Sequence, residues 1–135
     1  MADQNESFDA FLKRREVVSG DYINGHAGSL LKMSALSDPA TFFPPDGQSV
    51  RGAEAVNAAH AQAAKSFGEG SVGHFEILQS GSDGELGFWT GIQHAEAVLK
   101  GTDKPVPMKL RVTEVFRLED GAWKLVHQHA DEAKD

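Results

Sequence analysis

Residues 113–129 read TEVFRLEDGAWKLVHQH, two runs of alternating apolar and polar residues on either side of Glu119-Asp120-Gly121. Such alternation, rich in β-branched and aromatic side chains, is a strand signal, and a short break containing Asp-Gly makes the two runs a hairpin. Read as a type I turn closed by a left-handed Gly bulge, the break is a three-residue loop that sets Leu118 opposite Ala122. One face then carries Leu110, Val112, Glu114 and Phe116 beside Lys124, Val126, Gln128 and Ala130, and the other Arg111, Thr113, Val115 and Arg117 beside Trp123, Leu125, His127 and His129. The first set is apolar except for Glu114, Gln128 and a rim lysine, so it is expected to face the core. A two-residue loop would instead invert the last strand and pair His127 with Glu114.

Upstream, Ser71 to Ser80, Leu86 to Lys100 and Val106 to Leu118 show the same two-residue period, broken at Ser82-Asp83-Gly84 and Gly101-Thr102-Asp103. With Ala122 to Ala130 they predict a four-strand antiparallel meander. Before Ser71 the period is helical. Phe8, Phe11, Leu12, Val18 and Tyr22 share a stripe in a helix expected over 7–24, stopped at Gly25, with a shorter helix through Leu30, Leu31 and Met33. Thr41-Phe42-Phe43 reads as a short strand, Pro44-Pro45-Asp46-Gly47 as a turn, and Gly52 to Phe67 as an alanine-rich third helix. Helices followed by strands is the α+β pattern, with the helices packed on one face of a curved sheet.

The chain has 135 residues, 40% of them hydrophobic, enough for one core. We expect residues 1–6 to be a flexible N-terminus, 7–130 the domain and 131–135 a tail. There is no cysteine, so thiolate metal sites and disulfides are excluded. The polar start lacks a signal-peptide pattern and no apolar run reaches the ~20 residues of a membrane span, which points to a cytoplasmic protein. A net charge of -7 and the lack of a basic cluster beyond Lys13-Arg14-Arg15 argue against nucleic-acid binding. A nucleophile elbow and a phosphate-binding glycine loop are both missing from the sequence.

The Asn24-Gly25 helix end, the strand and turn at 40–47, the helix start Arg51-Gly52-Ala53-Glu54-Ala55-Val56 and the hairpin at 113–129 together resemble the SnoaL-like branch of the nuclear-transport-factor-2-like superfamily. The resemblance covers nearly the whole chain and implies a cone, a curved antiparallel sheet wrapped around N-terminal helices with an internal pocket, and commonly a dimer through the open sheet face. It implies little about activity, because this fold hosts unrelated chemistries. In proteins similar to ketosteroid isomerases the base would fall at Pro44 and the helix tyrosine at Val18, leaving only the acid of the penultimate strand a counterpart, in Glu114. The pocket arginines of kinase association domains would correspond to Thr90, Glu114 and Ala130, so their anion preference is not expected here.

Glu114 is therefore the candidate catalytic acid or base, or the anchor of a ligand donor. A buried carboxylate must be paired, hydrated or neutral, and Arg15 and His60, each on the apolar stripe of its helix, are the candidate partners. Alternatively, Arg15 packs its stem along the helix and reaches solvent, and His60 is a satisfied helix histidine. The remaining candidate ligand-binding residues are Tyr22, Phe42, Phe88, Thr90, Ile92, His94, Val112 and Gln128, with Gly91 a candidate bulge that would shift the phase of its strand. His127 and His129 point to one face as an HxH pair does, without an evident third ligand, so neither metal nor cofactor is expected. An outer face bearing Trp89, Val115, Trp123, Leu125 and His127 predicts a homodimer. Two functions follow: a small-molecule-binding or lyase/isomerase-like protein whose pocket takes a small apolar or aromatic molecule, or a dimeric association module whose pocket is vestigial and closed by Phe42, Phe88 and Phe116.

Overall fold

The computed structural model describes residues 6–134. Helix α1 spans Phe8–Ile23, capped by Ser7, whose Oγ accepts from the Ala10 amide at 3.1 Å. It ends where Gly25 takes a φ of 92°. A side chain there would meet the Phe67 carbonyl oxygen at 2.8 Å, so the stop requires glycine for space as well as for backbone angle. The neighbouring Asn24 ties the helix end to the sheet: its amide donates to the Gly20 and Ser71 carbonyls and its oxygen accepts from the Gly70 and Ser71 amides. Helix α2 (Gly28–Met33), strand β1 (Thr41–Phe43), strand β2 (Val50–Arg51) and helix α3 (Ala53–Ala64) follow.

The meander is formed by β3 (Val72–Ser82), β4 (Leu86–Val98), β5 (Pro105–Glu119) and β6 (Ala122–Glu132). The sheet is larger than expected, because β1 joins β6 in parallel and β2 pairs with β1, giving six strands in the order β2-β1-β6-β5-β4-β3. This curved, unclosed sheet and its helices form an α+β cone. Pro105 and Pro107 are tolerated in β5 because β6 stops at Glu132, opposite Leu110, so no β6 ladder needs their missing donors. The final strand continues two residues beyond the expected domain end at 130, and Ala133 still donates to the Lys109 carbonyl at 3.0 Å. Of the N-terminal segment expected to be flexible, residues 1–5 lie outside the described residues, and the Glu6 carbonyl accepts from the Trp123 indole at 3.0 Å.

The last hairpin corrects the expected register. Its loop is the two-residue Asp120-Gly121 turn, with φ values of 52° and 82° and Glu119 opposite Ala122. Leu118 therefore faces Trp123 and Phe116 faces Leu125. A bulge at Val126 then restores the original phase, so that Glu114 pairs with Gln128 and Val112 with Ala130. Trp123 and Leu125 consequently lie on the helix side, buried in the main cluster with Phe8, Phe11 and Phe116, and not on the outer face. His127 stands opposite Val115, and His129 opposite Thr113, both on the outer face.

Strand β4 is also reversed from expectation. Trp89 pairs with Glu114 on the inner face and is fully buried, which removes it from the expected dimer surface. Phe88, Thr90, Ile92 and His94 therefore point outward, against Val115, Thr113, Arg111 and Lys109. The irregularity near Gly91 belongs to β3, where Leu78 is bulged out, and β4 keeps its own phase. A Cβ on Gly91 would collide with the Glu76 carbonyl oxygen, so the glycine makes room for the bulge in β3.

Candidate functional site

Among the described residues one carboxylate is fully buried, that of Glu114 on the inner face, and four donors converge on it. Arg15, one helical turn before Ser19, donates through Nε to Glu114 Oε1 at 3.0 Å and through Nη2 to Oε2 at 2.8 Å. The Trp89 indole donates to Oε1 at 2.8 Å, and the Gln128 side-chain amide donates to Oε2. Glu114 is completely buried and Arg15 is 3% exposed, so the expected interior pair forms and the solvent-reaching alternative for Arg15 does not. The Arg15 guanidinium also lies 5.8 Å from the centre of the Phe75 ring, which in turn stacks on Trp89. Every contact to Glu114 is a donor aimed at a carboxylate oxygen, the arrangement of an ionised acceptor. Four donors thus meet the roughly four lone-pair directions of the carboxylate.

Beside this network lies a partly open cavity of about 590 Å³. Arg15, Tyr22, Phe42 and Gln128 line it, as four of the expected ligand-binding residues. Phe67 and Pro44 add apolar wall, and Gln93, bonded to Ser19 Oγ at 3.1 Å, adds a polar point. Glu114, Val112 and His60 are buried behind these side chains, while Phe88, Thr90, Ile92 and His94 are on the opposite face of the sheet and line no part of this cavity. Ser19 and Gln93 were not singled out from the sequence. For Ser19 a signal existed, since it lies four residues after Arg15 and so on the same face of α1.

Among the described residues, the buried side-chain polar atoms without a protein partner are Arg15 Nη1, Asn57 Oδ1 and both ring nitrogens of His60. Burial lowers the His60 pKa to about 4, the Arg15 charge pushes it further down and Glu114 opposes both, so the ring is neutral at pH 7. Burial pushes the Tyr22 hydroxyl up to about 12, against the pull of Arg15, so it remains a donor. The HxH pair sits on the outer face, where Phe43 packs edge-on against both imidazoles. No group of three or more His, Cys, Asp or Glu that could hold a metal ion occurs among the described residues.

A family model described as a SnoaL-like domain matches residues 22–130. A search of curated proteins finds no match. Among solved structures, the chain is similar to a cystatin-like-fold protein from Caulobacter vibrioides, at 12% identity and a TM-score of 0.71, covering 94% of this chain and 89% of that one. It is also similar to a proposed dehydratase of the NTF2-like family from Streptomyces avermitilis, at 17% identity and a TM-score of 0.70, covering 92% and 93%. A CamKII hub homology domain from Chlamydomonas reinhardtii superposes at 20% identity and a TM-score of 0.69, covering 95% and 100%. At these identities the likeness concerns the fold. No helix among the described residues is long and apolar enough to cross a membrane.

Proposed function

We propose, from the premise that this chain belongs to the SnoaL-like domain family, that its cavity binds a small, largely apolar, uncharged molecule whose carbonyl-type oxygen meets Arg15. The observation that carries this reading is a guanidinium locked by Glu114 on one edge, lining a cavity, with Nη1 left without a protein partner. A buried donor in that condition costs about 1–3 kcal/mol, which an acceptor on a ligand would recover. Because Glu114 neutralises Arg15, the site calls for an acceptor rather than for an anion, in keeping with a chain of net charge -7. Phe42, Phe67 and Pro44 suit an apolar body of one or more rings. A carbonyl polarised by a guanidinium is also the setting for isomerase or lyase chemistry at the adjacent carbon. In that case Glu114 acts by positioning Arg15 and is not the acid or base.

The expected ligand-induced stabilisation can be read as a thermal shift with acetylnaphthalene as probe. Ala63→Trp, placed on the cavity wall formed by α3, is expected to weaken binding at least about tenfold, the equivalent of ~1.4 kcal/mol, while leaving the circular dichroism spectrum unchanged. Equal binding by wild type and this variant would show that the probe sits elsewhere. The vestigial-pocket alternative loses support because Phe88 points outward and Phe116 is in the core, so the aromatic plug expected of those residues is not assembled.

A second reading concerns assembly and is favoured by the outer sheet face. With Trp89, Trp123 and Leu125 turned inward, that face still carries half-buried Phe43, Phe88, Ile92 and Val115. We assign self-association to this set, bordered by His94, His127 and His129. Val115→Lys is expected to shift a dimer to monomer in light scattering and to leave probe binding intact. A monomeric wild type, or an unchanged dimer in the variant, would remove this face from the account.

A further inference from the structure

On the inner face of β4, between Gly91 and Ala95, stands Gln93, a polar side chain that takes no part in the Arg15 network. Its amide nitrogen donates to Ser19 Oγ at 3.1 Å, and Ser19 follows Arg15 by one turn of α1, a rise of ~6 Å. Both side chains line the cavity. The other end of the Gln93 amide, its oxygen, has no protein partner among the described residues. Gln93 is only half-buried, and this oxygen is not one of the sealed polar atoms of the interior, as the His60 nitrogens are, so open space reaches it. On the inner face of β4 that open space is the cavity.

We infer that the Ser19–Gln93 pair is a second polar subsite of this cavity and takes a hydroxyl of the ligand, so that the bound molecule is a hydroxylated carbonyl compound whose two oxygens lie about one helical turn, ~6 Å, apart. This inference rests on the carbonyl-binding reading of the cavity and adds the class of ligand to it. Both members of the pair are neutral. A carboxylate here would set acceptor against the amide oxygen, and an ammonium would give up its hydration for an uncharged partner. A hydroxyl suits the pair with the amide turned either way, donating to its oxygen or accepting from its NH2 while Ser19 bonds the other end. Arg15 and Ser19 share one face of α1, so the helix fixes the distance between the two subsites and the ligand must match it. A hydroxyl next to the ligand's carbonyl bonds that carbonyl internally and leaves Gln93 unpaired, whereas one about a ring's width away reaches it. Sites that bond a hydroxyl discriminate against the analogue lacking it, since the protein group is then stranded.

The test compares acetylnaphthalene with its ring-hydroxylated isomers, by calorimetry, on wild type, Gln93→Leu and Ser19→Ala. One isomer carries the hydroxyl adjacent to the acetyl group, and the others place the two oxygens about 6 Å apart. At least one spaced isomer is expected to bind wild type about tenfold more tightly than the parent ketone, and the adjacent isomer to gain less than about twofold. Gln93→Leu should abolish that preference while keeping the affinity for the parent ketone. Ser19→Ala, which leaves the amide in place without its anchor, should reduce the preference about threefold or more. The subsite is overturned if the spaced isomers bind like the parent ketone, if the adjacent isomer gains as much as they do, or if either variant keeps the full preference. Binding of the parent ketone without any preference removes this subsite alone, whereas a wild type that binds no ketone removes the carbonyl reading and this inference with it. Should Gln93→Leu fail to fold, Ser19→Ala decides on the same criterion.

Discussion

Arg15→Met is expected to destabilise the protein by about 3–5 kcal/mol, the usual cost of removing one partner from a buried ion pair. The loss arises less from the missing attraction than from Glu114, which would remain fully buried with only Trp89 and Gln128 as donors. Glu114→Gln should also be costly, because it leaves the Arg15 charge buried at 3% exposure without its counter-ion. The combined Arg15→Met, Glu114→Gln variant removes both charges and keeps a side-chain oxygen for the Trp89 indole. It should therefore recover most of the loss, since an apolar or neutral replacement of a whole buried pair is often close to neutral. Urea unfolding of the four proteins closes the double-mutant cycle. Additive single losses, or a cost below ~1 kcal/mol for Arg15→Met, would mean that the pair does not organise this interior.

Acid should destabilise the wild type through His60 by about 3 kcal/mol between pH 6.5 and 4, relative to His60→Leu. In the unfolded chain this histidine takes up its proton near its ordinary 6.5, whereas in the native state burial holds it at about 4. As pH falls through that window the unfolded state binds the proton first, so its free energy drops and stability is lost. Above pH 6.5 the two states bind equally and the full stability is present, and below pH 4 no further loss comes from this group. His127, also held below its ordinary value chiefly by burial, contributes in the same direction but is common to both proteins and cancels. Parallel stability curves for wild type and His60→Leu from pH 7 to 4 would show that the native ring is hydrated and titrates as in the unfolded chain.

The fate of individual residues shows how far pattern reading reaches. On α1, the 3.6-residue period puts Arg15 in line with Phe8, Phe11 and Val18, and on β5, Leu110, Val112 and Phe116 bracket Glu114 on one face. Two elements with unambiguous faces, packed on one another, leave an inward arginine and an inward glutamate little choice but to meet. Strand β4 lacks that asymmetry. Phe88 and Ile92 on one side compete with Trp89 on the other, so alternation is evident but its sign is not. Trp89 goes inside because only there does its indole find Glu114, a partner 25 residues away. In β6 two departures offset each other: the shorter turn at Asp120-Gly121 inverts the phase and the bulge at Val126 restores it. Gln128 thus reaches the site as expected, although the route to it differs, while Trp123 and Leu125 change sides.

From the residues alone follow the α+β class, the helices and strands of the meander, the inward faces of α1, α3 and β5, and the identity of the carboxylate at the centre. All of these depend on periodicities and turn chemistry within a few residues of chain, where sterics and local hydrogen bonding dominate. The tertiary structure decided the sign of β4, the bulge in β6, the parallel attachment of β1 and which donors saturate Glu114. Those are settled by which long-range partner best buries a tryptophan or satisfies a polar atom, a competition among pairings of nearly equal local preference that only the assembled core resolves.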